Sequence, residues 1–96
     1  MGGLKYPECR RYQGRDKVLC LLESIERDYR TGKISQGIAE ARMKYLVALN
    51  RANHWMPERE LVLLINKYLE RIGAKPLYAS SKTRTRAREL GIAITT

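Results

Sequence analysis

Three stretches of apolar residues recur at three- and four-residue spacing, each bounded by residues that start or stop helices. That punctuated periodicity directs the chain toward a helical architecture. In the first stretch Val18, Leu22, Ile25 and Tyr29 share one face, Leu21 widens it, and Gly32 stands where a stop belongs. Asp16 reads as its N-cap, so a helix is expected from about 16 to 31. In the second, Ser35 is the cap, and Ile38, Ala41, Tyr45, Leu49 and Ala52 line up beside Leu46. That pattern predicts a helix from about 35 to 53. The third opens with Pro57 at its first position and Glu58 and Glu60 in the first turn, where they complement the helix dipole. Leu61, Ile65, Tyr68, Leu69 and Ile72 form its stripe, with Leu64 alongside, and Gly73 and Pro76 end it near residue 72. Glu23 with Arg27, Glu26 with Arg30, and Glu40 with Lys44 are spaced for i,i+4 pairs on the wet sides.

The remaining segments lack this regularity. Residues 1–14, with Gly2, Gly3, Pro7 and Gly14, read as an irregular basic arm ahead of a single helical domain at 15–96. Near the other end, Ser80 or Ser81 can cap a short helix over about 81–90, with Thr83, Ala87 and Leu90 inward and Gly91 as its stop. Read at period two, the same residues put Arg84, Arg86 and Arg88 on one face of a strand. Ile92 to Thr95 can pair with Leu77 to Ala79 as a minor hairpin or wing. The expected fold is therefore mainly all-α: a compact bundle of three amphipathic helices plus a short basic C-terminal helix. A helix-turn-helix-like variant fits this order of elements, although the link from Gly73 to Ser81 exceeds the usual turn.

Charge narrows the function. Nineteen Lys and Arg against ten Asp and Glu give +9 in 96 residues, and the sequence pI is about 9.9. Such a balance is the electrostatic footprint of a protein that meets polyanions. It is unevenly spread, because residues 74–96 hold five basic side chains and one acidic one. Arg offers a planar fork that grips phosphate oxygens bidentately, and Ser and Thr add neutral bonds. The expected nucleic-acid contacts are Lys75, Ser81, Lys82, Arg84, Arg86 and Arg88, with a second patch on the arm at Arg10, Arg11 and Arg15, near Tyr12 and Lys17. Duplex DNA is the expected partner ahead of RNA, since arginines on a short element suit a major groove and its flanking phosphates.

Other classes find little support. His54 is the single histidine, and with Cys9 and Cys20 it shows no ligand spacing, so neither a metal nor a cofactor is expected. Thr31-Gly32-Lys33-Ile34 lacks the upstream glycine and the hydroxyl residue of a phosphate-binding loop. No nucleophile stands in a triad context, and an enzyme is not expected. No apolar run reaches the roughly 20 residues of a membrane span, and the N-terminus lacks the apolar core of a signal peptide, so a cytoplasmic setting is expected. In that setting Cys9 and Cys20 are expected as free thiols. Tyr29, Tyr45 and Tyr68 fall on the apolar stripes and read as core, and Trp55 reads as a plug at one end of it. The competing expectation is a helical protein-interaction module, and a homodimer is compatible with both readings. Leu46, Val47, Leu63 and Leu64 beside the main stripes offer apolar surface for such contacts.

Overall fold

The computed structural model describes residues 6–77. They form a 3-10 turn at Pro7–Cys9 followed by α1 (Gly14–Arg30), α2 (Gln36–Asn53) and α3 (Glu58–Arg71). Arg15 of α1 meets Glu60 of α3, and Arg71 near the end of α3 meets Glu26 near the end of α1, so these two helices run parallel. α2 returns between them in sequence and runs the other way: the Gln36 side chain at its start donates to the Ile72 carbonyl just past α3, at 2.7 Å. Val18, Leu22, Ile25, Met43, Leu46, Leu61, Ile65 and Leu69 are fully buried where the three helices meet. Each such side chain stabilises the fold by roughly 1.5–3 kcal/mol through burial.

The helix ends follow their local chemistry, with two shifts from expectation. Ser35 Oγ accepts from the Ile38 amide and caps α2, and Gly32 and Gly73 take positive φ just after α1 and α3. However, α1 begins two residues before Asp16, at Gly14, with Gln13 as an N-cap that makes no side-chain bond. Pro57 is the N-cap of α3 rather than its first helical residue. Its fixed φ of −60° is shared by both positions, but its ψ of 136° is extended.

α2 buries a different face from the one expected. Ala39, Met43, Leu46, Val47 and Asn50 are inside, whereas Ile38 and Tyr45 are 47% and 44% exposed and Ala41 and Ala52 face solvent. The helix is turned by about one residue, or 100°, because apolar residues surround most of it and periodicity alone cannot choose between its faces. Asn50 helps to decide. Its side chain pairs with both backbone groups of Met56, donating at 2.9 Å and accepting at 3.0 Å, and so folds the link to α3 back onto α2. Asn66 does the same for the chain leaving α3, accepting from the Leu77 amide at 2.6 Å. Of the flanking residues expected to stay available, Leu46, Val47 and Leu64 are buried and Leu63 is exposed.

The stretch expected to be an irregular arm is packed from Tyr6 onward. Tyr6 is buried, donates through its hydroxyl to Asp28 and accepts from Arg42. Cys9 is buried as well, and it forms a disulfide with Cys20, so the expectation of free thiols is corrected. The two Cα atoms lie 5.6 Å apart, within the range a disulfide spans. This bond ties the arm antiparallel along α1. The expected Glu23–Arg27 pair is also replaced: Arg27 binds Glu8 and Asp28, and Glu23 accepts from Tyr68. The Glu26–Arg30 and Glu40–Lys44 pairs form as expected. Among the described residues no helix is long and apolar enough to cross a membrane. The fourth helix expected at 81–90, the strand alternative at 82–88 and the hairpin lie outside the described residues.

Candidate nucleic-acid interface

Where the arm enters α1, the chain turns through Gly14 at φ +59°. The turn passes close beneath the α2–α3 link: a Cβ on Gly14 would stand 3.5 Å from the Trp55 carbonyl oxygen. On the facing side, α2 ends at His54, whose φ of 54° and ψ of 48° are left-handed. That conformation normally falls to glycine, and for a residue with a Cβ it costs roughly 1–2 kcal/mol. The His54 amide still closes the helix by donating to the Asn50 carbonyl at 2.6 Å.

Between these two turns lies an open, mostly polar cleft of about 430 Å3. Arg10, Tyr12, Gln13, Gly14 and Lys17 form one wall, and Asn53, His54 and Trp55 the other. Two aromatic residues, Tyr12 and Trp55, and two cationic ones, Arg10 and Lys17, therefore line one concavity. The Lys17 ammonium lies 6.0 Å from the Trp55 ring centroid, and the Arg11 guanidinium lies 5.4 Å from that of Tyr12. Both are cation–π separations, with Lys17 at the outer limit.

This end carries carboxylates as well as cations: Asp16 stands in the first turn of α1, and Glu58 is held by Arg51. Among the described residues Arg10, Arg11 and Lys17 have no carboxylate within ion-pair distance. Arg15 reaches Glu60 only at 3.9 Å, with both side chains more than half exposed, a pairing that contributes little. The first turn of α1 has no side-chain cap over its leading N–H groups, and Asp16 within it already supplies the negative charge its dipole favours.

The other end of α1 contrasts with this one. Glu26 is buried, and the forks of Arg30 and Arg71 close on it at 2.8 and 3.1 Å. Burial works to raise the Glu26 carboxyl pKa, but the hydrogen bonds from Arg30 and Arg71 outweigh it and hold it below the usual carboxylate value. Glu8 is likewise lowered, by its own backbone hydrogen bond and by the bonds from Ser24 and Arg27. Burial foremost pushes the Tyr6 and Tyr68 hydroxyls above their ordinary value.

The expected contacts thus divide. Arg10, Arg11 and Arg15 are exposed and gathered at the cleft end. Lys75 is exposed just beyond the far end of α3, about 25 Å away by the length of α1 at 1.5 Å per residue. Ser81, Lys82, Arg84, Arg86 and Arg88 lie outside the described residues. His54 and Trp55 were not among the expected contacts, and both belong to the cleft. Their separation from the arm along the chain leaves no sequence signal of this placement. Among the described residues no three His, Cys, Asp or Glu side chains gather into a metal-sized cluster. No protein-family model, curated protein or solved structure was found to match the chain.

Proposed function

We propose that the chain is a small nucleic-acid-binding protein that grips phosphates, with duplex DNA favoured over RNA, and that it acts by binding rather than by catalysis. The observation that carries this reading is the set Arg10, Arg11 and Lys17, held at one end of a folded body without carboxylate partners among the described residues. At the far end Arg27, Arg30 and Arg71 are drawn into ion pairs, and at the cleft end Arg51 pairs with Glu58. The sequence adds the Arg-rich segment with Lys82, Arg84, Arg86 and Arg88 as a second contact element. Anisotropy of a labelled random-sequence duplex, titrated across salt, tests the proposal. Affinity should fall steeply with salt, by a slope of about 0.9 per phosphate neutralised. Replacing Arg10, Arg11 and Lys17 together by Ala should flatten that slope by roughly 2–3, and Arg84, Arg86 and Arg88 to Ala should do the same. Salt-insensitive affinity, unchanged in both triple variants, sinks the reading.

A second reading has its own support. Ile38, Ala41, Tyr45, Ala48 and Ala52 form an exposed apolar stripe along the outer side of α2, the kind of surface that marks protein contacts. It makes a homodimer or helical adaptor the alternative, and light scattering on the eluting protein separates a monomer from an oligomer. As for setting, a cytoplasmic protein would carry the Cys9–Cys20 bond only while conditions were oxidising, since cytosolic thiols are kept reduced.

A further inference from the structure

We infer that Cys20 is a thiol-exchange site: a low-molecular-weight thiol of the glutathione class opens the Cys9–Cys20 disulfide at Cys20, and Cys9 is the buried cysteine that closes it again. The inference goes beyond the nucleic-acid reading and does not depend on it. It starts from the unequal placement of the two sulfurs. Cys9, in the 3-10 turn, is 1% exposed and walled in by the core, whereas Cys20 on α1 is only partly buried. Exchange requires a thiolate from solvent to reach the sulfur that it attacks, so access selects the sulfur. Cys9 offers no such approach, which leaves Cys20. Asp16 and Lys17 stand one helical turn before Cys20, and Glu23 and Ser24 one turn after. Charge around it is therefore mixed, and access decides.

The step balances with the thiol alone. Its thiolate forms a bond to Cys20 Sγ as the Cys9–Cys20 bond breaks. The electron pair of that bond leaves on Cys9, which takes a proton from solvent. Ser24 Oγ lies 3.7 Å from Cys9 Sγ and donates to Glu8 at 3.0 Å while the disulfide is closed. Its hydroxyl can rotate to the new thiolate and give that charge a donor. The turn that holds Cys9 is anchored without sulfur, through Tyr6 to Asp28 and Arg42 and through Glu8 to Ser24 and Arg27. Cys9 therefore stays beside α1 after the bond opens, near the 5.6 Å Cα separation that a disulfide spans. Its thiolate can attack Cys20 Sγ, re-form the disulfide and expel the added thiol. The pair works as a reversible exchange site, with an outer and an inner cysteine.

The test uses the whole oxidised chain. Brief treatment with reduced glutathione is stopped with excess N-ethylmaleimide, and a tryptic digest made without reductant is mapped by mass spectrometry. Arg10, Arg11, Arg15 and Lys17 lie between the two cysteines, so cleavage puts them on separate peptides. Glutathione should be found on the Cys20 peptide and maleimide on the Cys9 peptide, in at least about tenfold excess over the reverse pattern. In a second arm each cysteine is left alone and treated with oxidised glutathione. Cys9→Ser should hold a lasting adduct on Cys20, and Cys20→Ser should react at Cys9 at least about tenfold more slowly. Circular dichroism melts show whether the variants are folded, and the map of the parent chain needs neither of them. Glutathione on the Cys9 peptide, or on both peptides equally, overturns the inference. So does a chain whose two thiols fail to close into a disulfide under oxidised glutathione.

Discussion

The two ends of α1 carry the same kind of side chain in opposite circumstances. At the C-terminal end Arg27, Arg30, Arg42 and Arg71 are spent on the fold: two close on the buried Glu26, one bridges Glu8 and Asp28, and one donates to the Tyr6 hydroxyl. At the N-terminal end Arg10, Arg11 and Lys17 touch aromatic rings or solvent and no carboxylate among the described residues. The lesson is that net charge says little about where a basic protein binds. A guanidinium whose charge is neutralised by a buried acid offers a phosphate less, whereas one that rests on an aromatic face has yielded little hydration and keeps its donors.

Several measurements bear on that contrast. The largest effect should come from reducing the Cys9–Cys20 bond, which closes a loop across a sequence separation of 11. Loop-closure entropy places the loss at about 2–3 kcal/mol, seen as a lower midpoint in urea. The arm should remain docked at Tyr6, because its hydroxyl bonds to Asp28 and Arg42 do not involve sulfur.

Next is Glu26→Ala, which strips both guanidinium groups of their shared acceptor at the closed end. Because Arg30 and Arg71 are half exposed and can rehydrate, a loss of about 2 kcal/mol is expected rather than the full penalty of an unpaired buried charge. DNA affinity should not fall. The pH dependence carries the same signature. Glu26 titrates below its ordinary value in the folded chain, so its contribution is complete above the unfolded carboxyl pKa of 4.5 and fades as pH falls through the lower folded value. Glu26→Gln should remain folded and lose part of this acid sensitivity in urea midpoints measured across the acid range.

His54→Gly tests the open end and has the opposite sign. Glycine adopts the left-handed cap without a Cβ penalty, so the variant should gain about 1 kcal/mol of stability in a thermal melt. A loss would mean that the imidazole contributes packing that its exposed position does not reveal. The smallest effect is expected from Arg59→Ala with Lys67→Ala on the exposed side of α3. Stability should move by less than about 0.5 kcal/mol, and DNA affinity less than with the cleft cations.

Much of the body was legible because α1 and α3 each present one dominant apolar stripe. Val18, Leu22 and Ile25, and Leu61, Ile65 and Leu69, fall where a 3.6-residue period puts them. α2 was legible as a helix but not in its rotation, since Ile38 and Tyr45 compete with Met43 and Val47 for the inside. Asn50 contributes to the outcome through its bonds to the Met56 backbone, which no periodicity encodes. The cleft was half legible. Arg10, Arg11, Arg15 and Lys17 announce themselves by charge, but the opposing wall of His54 and Trp55 comes from a link some forty residues later. Only the disulfide and the turn at Gly14 bring the two together.

That disulfide also changes what a cut in the chain would do. Arg10, Arg11, Arg15 and Lys17 all lie between Cys9 and Cys20, inside one covalent ring. A trypsin-like protease that nicks the exposed ring after any of them opens the loop without parting the molecule. The pieces stay joined through sulfur and separate only when a reductant is added. The segment proposed to meet a polyanion is thus the one whose cleavage leaves the protein in one piece.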